Sequence, residues 1–220
     1  MAIIKRSLSD QIYDELKMQI INQDIPFGSK IVNRTLQERF NVSSSPIRDA
    51  INRLFSDGLI ESIDNTGALV VGFDANFYLE VNEILMGITS TGVQLSMQKS
   101  DIKEVVKTLK KYVALQKDNM GSVEYFKYDY EFHKTFIDFS NNSRLKKLYK
   151  QYNVLHEILL RCYYEKEVVD MQKGSIKTHE DMIQAFLEND VDKCVKLNEY
   201  HYKRAESLFK EMFKKNTKDL

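Results

Sequence analysis

The sequence predicts a mainly α-helical protein, an N-terminal winged helix-turn-helix followed by an all-α bundle of about six helices. Three observations predict it. Proline and glycine are scarce, at 2 and 8 of 220 residues, which leaves little for long irregular stretches, and the abundant Leu, Lys, Glu and Ile are compatible with helix. The β-type runs are confined to Leu59–Ile63 and Ala68–Val71, on either side of a hairpin signal at Asp64-Asn65-Thr66-Gly67. Beyond Gly72 the apolar residues recur at helical period to near the end of the chain.

In the first third, Leu8, Ile12, Leu16 and Ile20 form one apolar helix face. Asn22–Gly28 interrupts it, with Pro26-Phe27-Gly28 as a turn. A short helix is expected over Asn33–Phe40, with Leu36 and Phe40 inward and Asn41 as a left-handed cap. The next helix spans about Ser44–Ser56, preceded by serines that can cap it and with Pro46 tolerated in its first turn. Its buried face is Ile47, Ala50, Ile51, Leu54 and Phe55, and Arg48 lies one residue off that stripe. Three helices and a hairpin make a winged helix over residues 1–72. In such motifs the helix after the tight turn enters the major groove, so Ser43, Ser44, Ser45 and Arg48 occupy DNA-facing positions. A winged helix used for protein contact is the alternative. For Arg39 and Arg53, helix pairing competes with phosphate contact.

Charge does not announce a nucleic-acid partner. Basic and acidic residues balance at 32 each, and the first 72 residues hold eight basic against nine acidic side chains. Any attraction to DNA must therefore come from local clustering. Cys162 and Cys194 form no metal or disulfide spacing and read as reduced, buried thiols. No leader-like segment and no membrane-length apolar run is visible, so a cytoplasmic protein without membrane contact is expected.

Residues 73–220 form the second domain. Helices are expected over Ala75–Gln98, Asp101–Asp118, Ser122–Ser140, Ser143–Tyr164, Val168–Glu188 and Asp190–Lys215, with Asp101 and Asp190 as caps and Asn141-Asn142 and Asn189-Asp190 as tight joints. Asp129 and His133 stand one turn apart on one helix face. His179 lies ten residues before the Asn189-Asp190 joint and His201 eleven after it, and equal distances from a hairpin bring two side chains level. The four suit a divalent ion such as Zn²⁺ or Ni²⁺ inside a bundle. They equally suit structural hydrogen bonding, and the residues alone leave both readings open. The aromatic run around them, Tyr125 to Phe139, reads as core first and pocket lining second. His156 is a candidate pocket residue. Arg161, five residues further along the same helix, is a candidate partner for an anionic ligand.

Read in order, the first domain carries Pro26-Phe27-Gly28, then Val42-Ser43-Ser44-Ser45-Pro46-Ile47-Arg48-Asp49-Ala50-Ile51, then Arg53-Leu54, Gly58-Leu59 and Gly67. This stretch resembles the GntR family of transcription regulators. The resemblance implies that Arg34, Ser43, Ser45 and Arg48 contact DNA, and that Thr66 and Gly67 form a wing tip that reaches the minor groove. Ser44 stands where that family usually has arginine, and the wing lacks its common arginine. Loss of an Arg–guanine contact costs roughly 1–3 kcal/mol of discrimination, which implies an altered operator or weaker binding.

The second domain, Asp74 to about Phe213, resembles the FCD type of helical ligand-binding domain. Asp129/His133, His179-x-x-x-Ile183-x-Ala185, Asn189-Asp190 and His201 match its metal-binding version. That match implies Asp129, His133, His179 and His201 as ligands of a divalent ion, Zn or Ni, at the floor of an effector pocket. An organic acid is the implied effector. Met86-Gly87-Ile88-Thr89-Ser90 stands where the family's first bundle helix carries an arginine and a glutamate, and neither charge is present.

The function these readings imply is a homodimeric regulator on a near-palindromic double-stranded operator, controlled by a small ligand. A regulator for which the ion itself is the signal is the first alternative. A metal-dependent hydrolase is the second, since Asp–His₃ could activate water. It lacks a general base at a telling spacing and leaves the winged helix unexplained.

Overall fold

The computed structural model describes residues 6–162 and 169–216, and their side chains except those of residues 157–162, 208 and 211–216. The chain divides between Asp74 and Ala75 into two compact units, two residues beyond the boundary read at Gly72. Within the first unit, Phe73 packs its ring against Phe27 at 4.1 Å between centroids.

The first unit runs α1 (Leu8–Ile21), β1 (Lys30–Val32), α2 (Asn33–Phe40), α3 (Ser44–Ser56), β2 (Ile60–Ile63) and β3 (Gly67–Val70). Ser7 caps α1, accepting from Asp10 N while its own N–H donates to the Asp10 carboxylate. Asn41 ends α2 in the left-handed conformation at φ 50°. Ile12, Leu16, Ile20, Ile47, Ile51 and Leu54 are almost wholly buried, so α1 and α3 share one core. Phe55, expected inside, is 47% exposed, because it sits at the edge of the α3 stripe whose centre Ile51 and Leu54 fill.

The expected hairpin is present, and a third strand joins it. The sheet order is β1-β3-β2, antiparallel throughout. Gly67 is set where β3 crosses closest to β1: a Cβ there would lie 1.9 Å from the Ile31 carbonyl oxygen. Asp64 fastens the turn. Its Oδ1 accepts from Thr66 N–H at 2.7 Å, from the Thr66 hydroxyl at 2.7 Å and from Gly67 N–H at 2.8 Å. Its Oδ2 accepts from Lys30 Nζ at 2.6 Å, tying the turn to β1.

The described part of the second unit is helical: α4 (Ala75–Lys99), α5 (Ile102–Asp118), α6 (Glu124–Phe139), α7 (Ser143–Cys162), α8 (Val169–Leu187) and α9 (Val191–Asn216). Asp101 caps α5, accepting from Lys103 N–H at 2.8 Å, and Asp190 accepts from Lys193 N–H at 2.9 Å at the start of α9. Asn141 and Asn189 take positive φ at the two joints read as tight turns. At the second joint Asp190 N–H returns to Ala185 O at 2.9 Å, the bond that closes a helix around a left-handed residue.

α4, α5, α6, α8 and α9 bury one continuous apolar core, including Val93, Leu109, Phe132, Phe136, Phe186 and Cys194. Cys194 is a free buried thiol, and the Cys162 side chain lies outside the described residues. Among the described residues no helix is long and apolar enough to cross a membrane.

Candidate functional site

Three helices bring the candidate ligands together. α6 carries Asp129 and His133 one turn apart, and α8 and α9, joined as a hairpin, carry His179 and His201. Each of the four offers one ligand atom, and all these atoms lie within 4.8 Å of one another. His133 Nε2 is 3.2 Å from His201 Nε2. Asp129 reaches both sides, with Oδ2 4.0 Å from His133 Nε2 and Oδ1 3.8 Å from His179 Nε2. The histidines are buried.

Burial sets the protonation states. It holds His133 and His179 well below the usual imidazole range, with neighbouring histidines adding to the effect, His201 foremost for both. His201 falls to about 3, first by burial and then through His156 and Arg204. Burial raises Asp129 to about 7, against a lowering hydrogen bond from Gln116. Three neutral imidazoles therefore converge with one carboxyl group, the donor set that intermediate divalent ions select.

These residues fit a cation by two further observations. His179 Nε2 is buried without any hydrogen-bond partner, which is costly unless something occupies it. Two Nε2 atoms 3.2 Å apart would each sit about 2.1 Å from a shared ion with about 100° between them. Atoms bound to one ion at that length are at most ~4.2 Å apart, so the four would have to draw slightly closer to share one.

The cluster opens on a cavity of 280 Å³, at the small end of ligand pockets. Asp129, His133 and His201 line it together with Tyr78, His156, Tyr202 and Arg204. Tyr78 stacks on Phe209 at 3.7 Å and faces His156 at 5.8 Å between centroids. The Tyr78 hydroxyl and His156 Nε2 are buried without partners, and burial pushes His156 down to about 4. His156 thus lies on the cavity wall. The side chain of Arg161, the other pocket candidate, lies outside the described residues.

Sequence reasoning missed Arg204. It stands one turn beyond His201, a spacing that puts both on one face of α9. Its guanidinium lies over Gly174 of α8, where a Cβ would come within 1.5 Å of Nη1. Nη2 donates to Asp170 O at 3.3 Å, and no carboxylate pairs with Arg204 among the described residues. The Met86–Ser90 stretch, which lacks charge, is closed by Asn198 of α9. That amide donates to Thr89 Oγ1 at 2.9 Å and Ser90 Oγ at 3.0 Å.

In the first unit, Ser43, Ser45 and Arg48 are exposed at the start of α3 and Ser44 is half-buried. Ser43 is the N-cap residue yet makes no side-chain cap bond. Pro46, at the third helical position, removes one of the two N–H groups such a bond can use. The end of α3 is thus open to an external acceptor. Arg48 shares a cleft with Asn52 of α3 and with Asp64 and Asn65 of the wing. Arg34 is exposed on α2 and donates to Glu38 Oε1 at 3.0 Å.

The wing corrects one expectation. Gly67 is buried and its N–H is given to Asp64, so it serves strand packing and offers no contact surface. Thr66 is exposed, with its hydroxyl and N–H bound to Asp64, and Asn65 is the neighbouring exposed tip residue. Arg39 and Arg53 pair between helices, with Glu15 at 3.4 Å and with Asp10 at 2.5 Å.

Comparison with known proteins agrees with this architecture. A family model described as bacterial regulatory proteins, gntR family, matches residues 8–70, and one described as FCD domain matches residues 80–204. An uncharacterised HTH-type transcriptional regulator, YdhC of Bacillus subtilis, is 30% identical over 148 residues, 66% of each chain. The gluconate operon transcriptional repressor of Bacillus subtilis is 26% identical over 193 residues, covering 84% of this chain and 78% of the repressor. Among solved structures, the fold is shared with E. coli McbR/YncC at a TM-score of 0.69 and 19% identity, over 95% of this chain and 100% of that one.

Proposed function

The chain belongs to the GntR family of bacterial regulatory proteins and carries an FCD domain, and on that premise we propose that it is a cytoplasmic, homodimeric transcription regulator whose operator affinity is set by a small carboxylate bound beside a divalent ion. The family and its relatives are transcription regulators, so the hydrolase reading is set aside. The observation that carries the proposal is the 280 Å³ cavity on which Asp129, His133 and His201 converge with Arg204. Asp129, His133, His179 and His201 would hold the ion, which would supply a Lewis-acid contact for a carboxylate. Arg204 supplies a second, cationic contact and is available for it, since its one described hydrogen bond is long. The unpartnered Tyr78 hydroxyl and His156 Nε2 would bind polar groups of the same ligand.

On the DNA side, the open N-terminus of α3 and exposed Ser43, Ser45 and Arg48 suit a phosphate and base edges of a major groove. Exposed Thr66 and its neighbour Asn65 would face a minor groove, without Gly67. Two copies would read a two-fold operator.

The test is a thermal-shift screen of small mono-, di- and tricarboxylates against Zn²⁺-loaded protein, followed by binding to a duplex the protein selects from random DNA. A compound that raises the midpoint should change duplex affinity by about five-fold or more. A compound that occupies the pocket and leaves duplex affinity unaltered would contradict ligand control. A change driven by Zn²⁺ alone would favour the ion as the signal.

A further inference from the structure

Gln116 of α5 touches two members of the cluster from outside it. The side chain is fully buried. Its Nε2 donates to Asp129 Oδ1 at 3.1 Å, and its Oε1 lies 3.0 Å from His179 Nδ1. An amide has one donating end and one accepting end. In its ionised form, the form a cation binds, the Asp129 carboxylate accepts only, so the NH₂ end faces Asp129 and the carbonyl end faces His179. The carbonyl in turn requires a proton on His179 Nδ1. His179 Nε2 is then a bare lone pair. That same atom is buried, has no partner, and lies 3.8 Å from Asp129 Oδ1.

We infer that Gln116 is a positioning residue for the cluster: one amide selects the His179 tautomer that presents Nε2 to a divalent cation and holds the Asp129 carboxylate toward the same point. The inference rests on the metal reading proposed above for its purpose, and on hydrogen bonds alone for the tautomer. Outer partners of this kind fix ring orientation and tautomer in metal sites generally. Here the partner reaches a histidine on α8 and a carboxylate on α6 at once, so α5 contributes to the site without contributing a ligand.

The experiment uses the full chain, stripped of metal with a chelator and labelled with ¹⁵N-histidine. Long-range ¹H–¹⁵N spectra report which ring nitrogen carries the proton, with the His179 signals assigned by their loss in His179→Gln. The wild type should show His179 protonated at Nδ1 before any metal is added. Gln116→Leu should move the population toward the Nε2–H form and weaken Zn²⁺ binding by about 10- to 100-fold, as loss of such partners does elsewhere. Gln116→Glu keeps an acceptor for Nδ1–H and should retain the wild-type tautomer while losing the donor to Asp129.

A wild-type His179 protonated at Nε2 would overturn the inference. So would a Gln116→Leu protein whose tautomer is unchanged and whose Zn²⁺ affinity stays within about two-fold of wild type. The wild-type spectrum decides the matter even if Gln116→Leu does not fold. A wild type with the Nδ1–H tautomer but no Zn²⁺ binding would sink the metal reading while upholding the tautomer selection by Gln116.

Discussion

Gly174 has the sharpest consequence at the scale of single residues. It lies inside α8, where glycine is roughly 0.5–1 kcal/mol less favourable than alanine, and the Arg204 guanidinium fills the space a side chain would take. Gly174→Ala should therefore leave the thermal midpoint unchanged or raise it slightly. It should displace Arg204, the flexible partner, and weaken a pocket carboxylate about ten-fold or more, in the range expected for loss of a charge-assisted bond. Calorimetric titration of a carboxylate found by the screen measures this, and unaltered affinity would show that Arg204 makes no contact with it. The signal for Arg204 was present in the sequence, since His201 and Arg204 share a helix face. The sequence points instead to Arg161, five residues past His156 on the same helix. Gln116 gave no local signal, because its role arises only where α5 packs against α6 and α8.

Among the elements, the three-stranded sheet depends on one close approach. A Cβ on Gly67 would meet the backbone of Ile31 and also lie 3.1 Å from Val32 Cα, and backbone cannot swing aside. Gly67→Ala should separate β1 from β3 and cost about 1–3 kcal/mol. Circular dichroism melting should show a lowered transition, and an unchanged melt would mean the strands tolerate the gap. Strand β1 was illegible in the sequence because Lys30–Val32 is too short to show alternation, and it exists through pairing with β3. The α8–α9 hairpin was legible. Asn189-Asp190 marked the joint, and counting outward from it placed His179 and His201 together without any long-range information. The α3 helix is legible in its bounds, though its serines predict a cap bond that Ser43 does not make.

At the scale of the whole molecule, formal charge is zero, so net electrostatics draw no nucleic acid to this chain. Attraction must come from the few cations and open N–H groups at the start of α3, which makes Arg48 more consequential than it would be in a basic domain. The central claim is that this helix end meets a duplex. The most direct test is a fluorescence-anisotropy titration of a duplex selected by the protein from random DNA, repeated from about 50 to about 200 mM salt with wild type and Arg48→Ala. The account predicts saturable binding that weakens steeply with salt, and an Arg48→Ala protein with weaker binding and a log–log slope smaller by about one. Absence of salt-sensitive duplex binding, or an Arg48→Ala curve that overlies the wild type, would contradict it.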